Sequence, residues 1–351
     1  MNTEERLKLI KEVGEEIVTE EELKKLLSSG EEIVAYDGFE PSGQMHIAQG
    51  ILRAVNINKM IKAGVKFKML VADWHAWANK KMGGDLEKIQ TVGKYFIEVW
   101  RACGLDMENV EFVWASELVK DPDYWKLVLQ VAQTNSIKRF VRTAEIMGRE
   151  ESMDLTAAQI IYPCMQTADI FLLGAKITQL GMDQRKVNML AREIGPQLGY
   201  WKPVVVSHHM LLGLTKESLK MSKSKPDSAI FMTDTPDDIE RKIMRAWSPE
   251  GEVKNNPVLE YCRYVLFESL DKPGTSKLVV ERPEKFGGPV ILNSFQDLEQ
   301  KYADKQIHPE DLKKTLVTYL TEVLGPVHKH FEQNPYAREL LQKVQSFKVT
   351  R

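Results

Sequence analysis

Two lysines three residues apart, Lys220 and Lys223, are flanked by Met221, Ser222 and Ser224, with Pro226 just behind. Such a pair can lay two ammonium groups along a polyphosphate and stabilise negative charge as it develops there. The Lys, Ser and Pro content predicts an irregular loop over residues 219–228. The same composition also describes a plain solvated linker, and these residues alone leave both readings open. A second stretch, FEPSGQMHIAQG at residues 39–50, together with the preceding Gly38, sets Pro41, Ser42, Gly43 and Gly50 around His46 and Gln49. Glycine and proline make a tight turn there that lets the backbone approach a ligand. A helix starting near Met45 would turn free N–H groups towards phosphate, with His46 and Gln49 on one face of its first turn. A helix-capping turn with an incidental histidine is the alternative. In a third stretch, IIYPCMQTADIFLL at residues 160–173, spacings of four and seven put Tyr162, Gln166 and Asp169 on one helical stripe. Pro163 suits the first position of a helix. Polar groups inside so apolar a sequence need partners when buried, so they serve either a ligand or internal structural bonds. Gln184, in GMDQRK, follows at the next strand-to-helix turn.

The elements that must position these residues alternate. Residues 3–29 read as one or two amphipathic helices, with Leu7, Ile10, Val13 and Ile17 at helical spacing. Strands are predicted at residues 32–39, 65–74, 110–115, 176–182 and 204–207, with helices between them at 45–63, 85–103, 156–173 and 183–197. Strands alternating with helices argue for a parallel α/β sheet. A long helical run over residues 117–155 interrupts the alternation and predicts a helical insertion between two halves of a nucleotide-binding fold. Thr235-Pro236-Asp237-Asp238 carries the start signals of a new helix. From there the chain reads as mainly helical, so a boundary is expected at residue 231, with domains at 1–231 and 232–351.

The bulk numbers fit a soluble globular protein: 351 residues, 43% hydrophobic and 28% charged. A net charge of −2 excludes an indiscriminate polyanion binder, so any nucleic-acid contact must come from local patches and shape. Cys103, Cys164 and Cys262 fit neither a disulfide framework nor zinc spacing, which predicts a reducing compartment and no protein metal site. The acidic N-terminal stretch does not read as a presequence, and no apolar run reaches membrane-spanning length. The expected location is the cytoplasm, with no membrane partner.

KMSKS, residues 220–224, is letter for letter the signature loop of class I aminoacyl-tRNA synthetases. MHIAQG resembles their other hallmark, His-Ile-Gly-His, with Ala48 in place of the glycine and Gln49 in place of the second histidine. AYDGFEPSG, the YPxMQxxD pattern and GMDQRK resemble the tyrosyl-tRNA synthetases of archaea and eukaryotes, over residues 4–327. The resemblance implies a Rossmann-type parallel-sheet catalytic domain with a helical insertion, followed by a mainly α-helical anticodon-binding domain. It implies that Asp169 and Tyr36 grip the phenol hydroxyl of L-tyrosine, that Tyr162, Gln166 and Gln184 hold its α-amino group, and that His75 lies beside the pocket. Gly38, Pro41, Ser42, Gly43, His46, Gly50 and residues Lys220 to Ser224 would bind ATP, brought with Mg²⁺, while His46, Gln49, Lys220 and Lys223 assist the chemistry.

Phe286, His308 and Asp311 match anticodon-reading positions of tRNA(Tyr), although HPED at residues 308–311 also reads as a helix cap. Lys138, Arg139 and Arg142 could meet the acceptor stem or form a solvated face. A homodimer is implied, through the insertion with Leu127, Val128 and Val131. The rival readings are a tryptophanyl-tRNA synthetase, a catalytically idle synthetase fold that binds RNA, and a simple nucleotidyltransferase. If the loop reading holds, Lys223→Ala slows amino-acid-dependent ATP–pyrophosphate exchange by about 10²-fold, because one contact to the transition-state charge is lost. Amino-acid affinity should stay nearly unchanged. Normal exchange with weakened amino-acid binding, read by calorimetry, would contradict it.

Overall fold

The structure is a computed structural model that describes residues 1–148, 154–216, 221, 226–268 and 277–347. Among these residues, six strands form one sheet: β1 (Glu16–Val18), β2 (Val34–Phe39), β3 (Lys66–Val71), β4 (Val110–Trp114), β5 (Ile177–Thr178) and β6 (Val204–Ser207). Their order is β1-β6-β5-β2-β3-β4, with β1 antiparallel to β6 and every other neighbouring pair parallel. The β2–β3 register pairs Val34 with Lys66 through to Phe39 with Val71. The chain departs from β2 towards β3 and β4, then returns on its other side to β5 and β6. The crevice between β2 and β5 is therefore the topological switch point, where sheets of this kind bind ligands at the carboxyl ends of their strands.

Side chains alternate across the sheet, as the pleat requires. Ala35, Phe67, Met69, Val110, Ile177 and Val206 face one core, and Tyr36 and Leu70 face another. The first core is covered by α1 (Thr3–Val13), α2 (Glu20–Ser28), α3 (Ile51–Lys62) and, beyond the short α4 (Asp73–Ala78), by α5 (Leu86–Ala102). The insertion is helical, with α6 (Ala115–Leu118), α7 (Pro122–Gln133) and α8 (Ile137–Thr143). Together with α9 (Ala157–Leu172) and α10 (Arg185–Ile194), α7 and α8 build the second core. β6 is buried at all four positions, Val-Val-Val-Ser, the pattern of a strand covered on both faces.

The C-terminal domain contains α11 (Pro236–Arg245), α12 (Pro257–Tyr261), α13 (Phe295–Ala303), α14 (Pro309–Gln333) and α15 (Pro335–Ser346). Thr235 caps α11 as its sequence predicts, with its side chain accepting from Asp238 N and Pro236 at the first turn. Ile239, Leu316, Leu324 and Val344 belong to the same continuous core as Ile10, Phe67 and Val99, so the helical domain is packed onto the sheet domain.

Several expectations need correction. Residues 3–29 contain β1 between two helices, because the otherwise free edge of β6 offers Ser207, Val206 and Val205 as pairing partners. The second predicted strand, 65–74, ends at Val71, and Asp73 opens α4 by accepting from Trp74 N (3.0 Å) and Ser116 N (2.9 Å). The expected strand at 176–182 shortens to Ile177–Thr178. Pro163 lies inside α9, which begins at Ala157 behind a Thr156–Gln159 capping box. The C-terminal domain also contains a hairpin, β7 (Leu278–Val280) with β8 (Val290–Leu292). Leu127, Val128 and Val131 are buried in the second core of their own chain and are not free to face a partner.

One contact between the domains is titratable. His209 Nδ1 lies 3.2 Å from Glu15 and its Nε2 lies 3.2 Å from Glu260, while its ring stacks on Tyr264 at 4.4 Å, with the Arg263 guanidinium also over the Tyr264 ring. A neutral imidazole has one N–H and can satisfy only one of these carboxylates as a donor. Burial disfavours the charge, but Glu260 and Glu15 together hold the His209 pKa above its usual value. A raised folded pKa means that the stabilisation is complete below the unfolded value and is lost as pH rises through the folded one. The difference in unfolding temperature between wild type and His209→Gln should therefore be largest near about pH 6 and shrink towards about pH 9. Thermal unfolding across that range checks it, and a difference that grows with pH would refute it.

Candidate functional site

α9 carries the polar stripe, and the fold buries it at the switch point. Asp169 is 0% exposed and Gln166 8%. Asp169 is met from three other elements. His75 of α4 brings Nε2 to 2.8 Å from Asp169 Oδ2. Tyr124 of α7 places its hydroxyl near the same carboxylate and Tyr36 of β2 adds a fully buried hydroxyl, yet neither of these hydroxyls and neither Asp169 oxygen makes a well-formed hydrogen bond. Gln166 Nε2 donates to Gln184 Oε1 (3.2 Å), and Gln184 Nε2 donates to Ile146 O (3.0 Å). Tyr162 sits edge-on to His75, with ring centroids 5.2 Å apart. All six residues expected around the amino acid therefore converge on one place.

The electrostatics follow from burial. Desolvation and then the Asp169 charge push the Tyr36 phenol well above its usual range, so it stays a neutral hydroxyl. Tyr162 is raised by burial and by the nearby Glu40 carboxylate. For His75 burial opposes the charge, yet the Asp169 carboxylate beside it raises the imidazole above its ordinary value.

The second wall lies below the same strands. Arg53 of α3, 1% exposed, reaches Asp37 of β2 at 2.5 Å, His208 Nδ1 at 3.0 Å and Gln179 Oε1 at 2.5 Å. This group ties β2 to the ends of β5 and β6. Burial raises Asp37 to about 6 against the pull of Arg53, and burial with the Arg53 charge drives His208 well below the histidine range.

His46 and Gln49 are not on a helix. α3 starts only at Ile51, because Ile47 N donates to Ile230 O (2.8 Å) and Met232 N donates to Met45 O (2.9 Å). Residues 45–47 are thus paired antiparallel with residues 230–232, and His46 is bridged to Phe231. Gln49 N and Gly50 N both donate to His46 O, which closes a turn, and Trp100 Nε1 fixes the turn by donating to Gln49 O (2.8 Å). Gly43 has φ +97°, open to glycine and strained for other residues. At Gly50 a Cβ would lie 2.3 Å from Met232 Sδ, so any larger residue would have to displace the Met232 side chain. Gly38 lies near the end of β2, and Pro41 and Ser42 in the irregular segment between β2 and this turn.

Lys220, Ser222, Lys223 and Ser224 lie outside the described residues. Met221 packs against the first core, and Leu214 N donates to Ser228 O (2.9 Å), which joins the two ends of the stretch. Phe286, His308 and Asp311 are far along the chain, in the C-terminal domain. Phe286 is 61% exposed on a short helical turn. His308 caps α14, its Nδ1 accepting from Glu310 N at 3.2 Å, and Asp311 lies in the first turn. Among the described residues, no group of three or more His, Cys, Asp or Glu side chains is placed to hold a metal ion.

Three residues at the site escaped the sequence reading. Glu40 accepts from Asn79 Nδ2 (3.0 Å) and reaches Tyr162 and Lys81. It sits inside the quoted FEPSG turn, where an acid at a strand end was a usable signal. Tyr124 had no such signal within an amphipathic helix. Arg53 looked like an ordinary helical arginine.

A Rossmann-type sheet with a polar pocket at its switch point and paired signature segments is the framework of a class I tRNA synthetase, and residues 28–325 match the family model of tRNA synthetases class I (W and Y). The chain is 48% identical to tyrosine–tRNA ligase 1, cytoplasmic, of Arabidopsis thaliana, covering 99% of this chain and 90% of that protein. Among solved structures it superposes on Leishmania major tyrosyl-tRNA synthetase in complex with tyrosinol, with a TM-score of 0.92 and 46% identity, over 99% of this chain and 61% of that one. On the Pyrococcus horikoshii tyrosyl-tRNA synthetase complexed with L-tyrosine the TM-score is 0.91 at 38% identity, over 97% of this chain and 100% of that one. The chain belongs to the tyrosyl-tRNA synthetase family. A tryptophanyl-tRNA synthetase from Aeropyrum pernix, at 19% identity and a TM-score of 0.66, shares the fold alone.

Replacing Asp169 by Asn should let the His75 pKa fall below its usual value, since burial then acts without the opposing carboxylate. Histidine NMR titration of wild type and Asp169→Asn reads this directly. An unmoved His75 would show that the pair is not coupled.

Proposed function

We infer that the chain is a tyrosine–tRNA ligase, which activates L-tyrosine with ATP and transfers the tyrosyl group to the 3′ end of tRNA(Tyr). The observation that carries this reading is the Asp169 carboxylate with the Tyr36 hydroxyl beside it, both at 0% exposure. Such a polar end in an apolar pocket suits a phenol hydroxyl, which donates to Asp169 and accepts from a neighbouring donor. Phenylalanine would enter without that hydroxyl and leave the buried groups unsatisfied. Discrimination of about 10⁵ on this principle is a value known for tyrosyl-tRNA synthetases themselves, not one deduced from this geometry.

In this reading Tyr162, Gln166 and Gln184 receive the α-amino group, and Glu40 orients Tyr162. The substrate carboxylate then lies towards the His46 turn. Its oxygen attacks the α-phosphorus of ATP, the bond from that phosphorus to the β-phosphate bridging oxygen breaks, and pyrophosphate leaves. The ribose hydroxyl of the terminal adenosine next attacks the tyrosyl carbonyl, and AMP leaves. ATP enters as its Mg²⁺ complex. Positioning and electrostatics supply most of the first step. The roles of stabilising the charge that develops on the phosphates fall to His46, Gln49, Lys220 and Lys223, and the backbone at Gly38, Pro41, Ser42, Gly43 and Gly50 makes room for the nucleotide.

Residues 1–231 form the catalytic domain in this proposal and residues 232–351 the anticodon-binding domain, with Phe286, His308 and Asp311 meeting the anticodon. The enzyme works as a homodimer in the cytosol, the place named for its Arabidopsis relative. The exposed apolar side chains of the insertion, Leu129 at 60% and Ile137 at 70%, support the dimer contact. ATP–pyrophosphate exchange with tyrosine, phenylalanine and tryptophan tests the reading. Tyrosine alone should support exchange at micromolar concentrations, and Asp169→Ala should raise the KM for tyrosine and shrink its preference over phenylalanine. Exchange driven best by tryptophan, or by none of the three, would overturn it.

A further inference from the structure

One arginine ties together two loops that the sequence separates. Arg282 follows β7, and its Nε donates to Gly288 O at 2.6 Å while its Nη1 donates to Gln306 O at 2.6 Å. Gly288 closes the turn that exposes Phe286, and Gln306 lies two residues before the His308 cap of α14. The turn itself is stiff. Phe286 N and Gly288 N both donate to Pro283 O, Gly287 N donates to Glu284 O, and Gly287 and Gly288 have φ +97° and +68°. On the other side Gln306 N donates to Lys301 O (2.8 Å), and the intervening Ile307 is fully buried. Each loop is therefore internally rigid, and Arg282 supplies the fork that links them. Among the described residues no carboxylate lies within ion-pair distance of it. A planar guanidinium presents separate N–H groups in fixed directions and can serve two carbonyls on two segments, where lysine offers one flexible point donor.

We propose that Arg282 is a positioning residue for anticodon recognition, setting the distance between the exposed ring of Phe286 and the helix start that carries His308 and Asp311. This rests on the reading that those three residues meet an unpaired base of tRNA(Tyr). A stacking face and a hydrogen-bonding carboxylate act on one base only if their separation matches its width, since a base is read on its face and its edge together. Arg282 does not touch the RNA in this scheme. It removes the freedom of one reading element relative to the other.

The test uses the full-length enzyme with Arg282→Lys and Arg282→Gln, and with Phe286→Ala and Asp311→Ala alongside. Two tRNA transcripts are charged, one with guanine as first anticodon base and one with that base changed. Tyrosine-dependent exchange should be unchanged in both Arg282 variants. Both Arg282 variants should lose roughly 10-fold in kcat/KM on the first transcript, mostly through KM, and lose much less on the second. The lysine variant should not rescue, because charge without the fork leaves one carbonyl unserved. An equal loss on both transcripts would mean a merely structural role, and full charging by Arg282→Gln would mean no role; either overturns the proposal. If Phe286→Ala and Asp311→Ala also charge normally, the anticodon reading itself falls. If they lose activity and the Arg282 variants do not, only the positioning role falls.

Discussion

A carboxylate with no exposure to solvent has to be met by donors from its surroundings, and Asp169 imposes that demand on the sheet domain. It lies on α9, which alone cannot satisfy it. The groups brought nearest come from α4, α7 and β2, elements separated in sequence by long stretches: His75, Tyr124 and the neighbouring Tyr36 hydroxyl, although neither Asp169 oxygen makes a well-formed hydrogen bond to them. The insertion containing α7 therefore does more than decorate the fold, because it brings Tyr124 to the pocket beside Asp169. The same demand makes the pocket selective. A buried polar set tuned to one hydroxyl loses more when the hydroxyl is missing than an apolar pocket would lose from a missing methylene.

The other half of the site depends on a backbone pairing. Residues 45–47 and 230–232 hydrogen-bond to one another, so the turn carrying His46 is held by the segment that follows the lysine-rich stretch. Met232 fills the space that any side chain at position 50 would need. From below, the buried Arg53 joins Asp37, Gln179 and His208, which locks the strands on both sides of the switch point at their carboxyl ends. Breaking one member of such a buried charge group costs several kcal/mol as a rule, since the other is left uncompensated. The nucleotide side of the site is thus fixed by main chain and buried charge, and the amino-acid side by directed side-chain bonds.

Much of this was legible beforehand. Period and start signals gave the alternation of strands and helices, the helical insertion and the onset of α11, because these depend on local propensity and capping. The stripe Tyr162, Gln166 and Asp169 stood out for a physical reason: three polar groups one or two turns apart in an apolar helix have no cheap alternative to being partnered. What local pattern could not show was where partners came from the far chain. β1 formed because β6 had an open edge, and residues 45–50 stayed out of the helix because residues 230–232 took their hydrogen bonds. Leu127, Val128 and Val131 read as a surface for a second subunit, but their own sheet domain claimed them.

The division follows from range. The sequence by itself determined the residue types, their helical or strand phase and the two signature stretches, all of which are set within a few turns of chain. Only the tertiary structure decided that Tyr124, Glu40 and Arg53 belong to the site, and that Arg282 spans two loops. Those assignments depend on distances between elements far apart in the chain, and a distance of that kind exists only once the sheet order has brought the elements together.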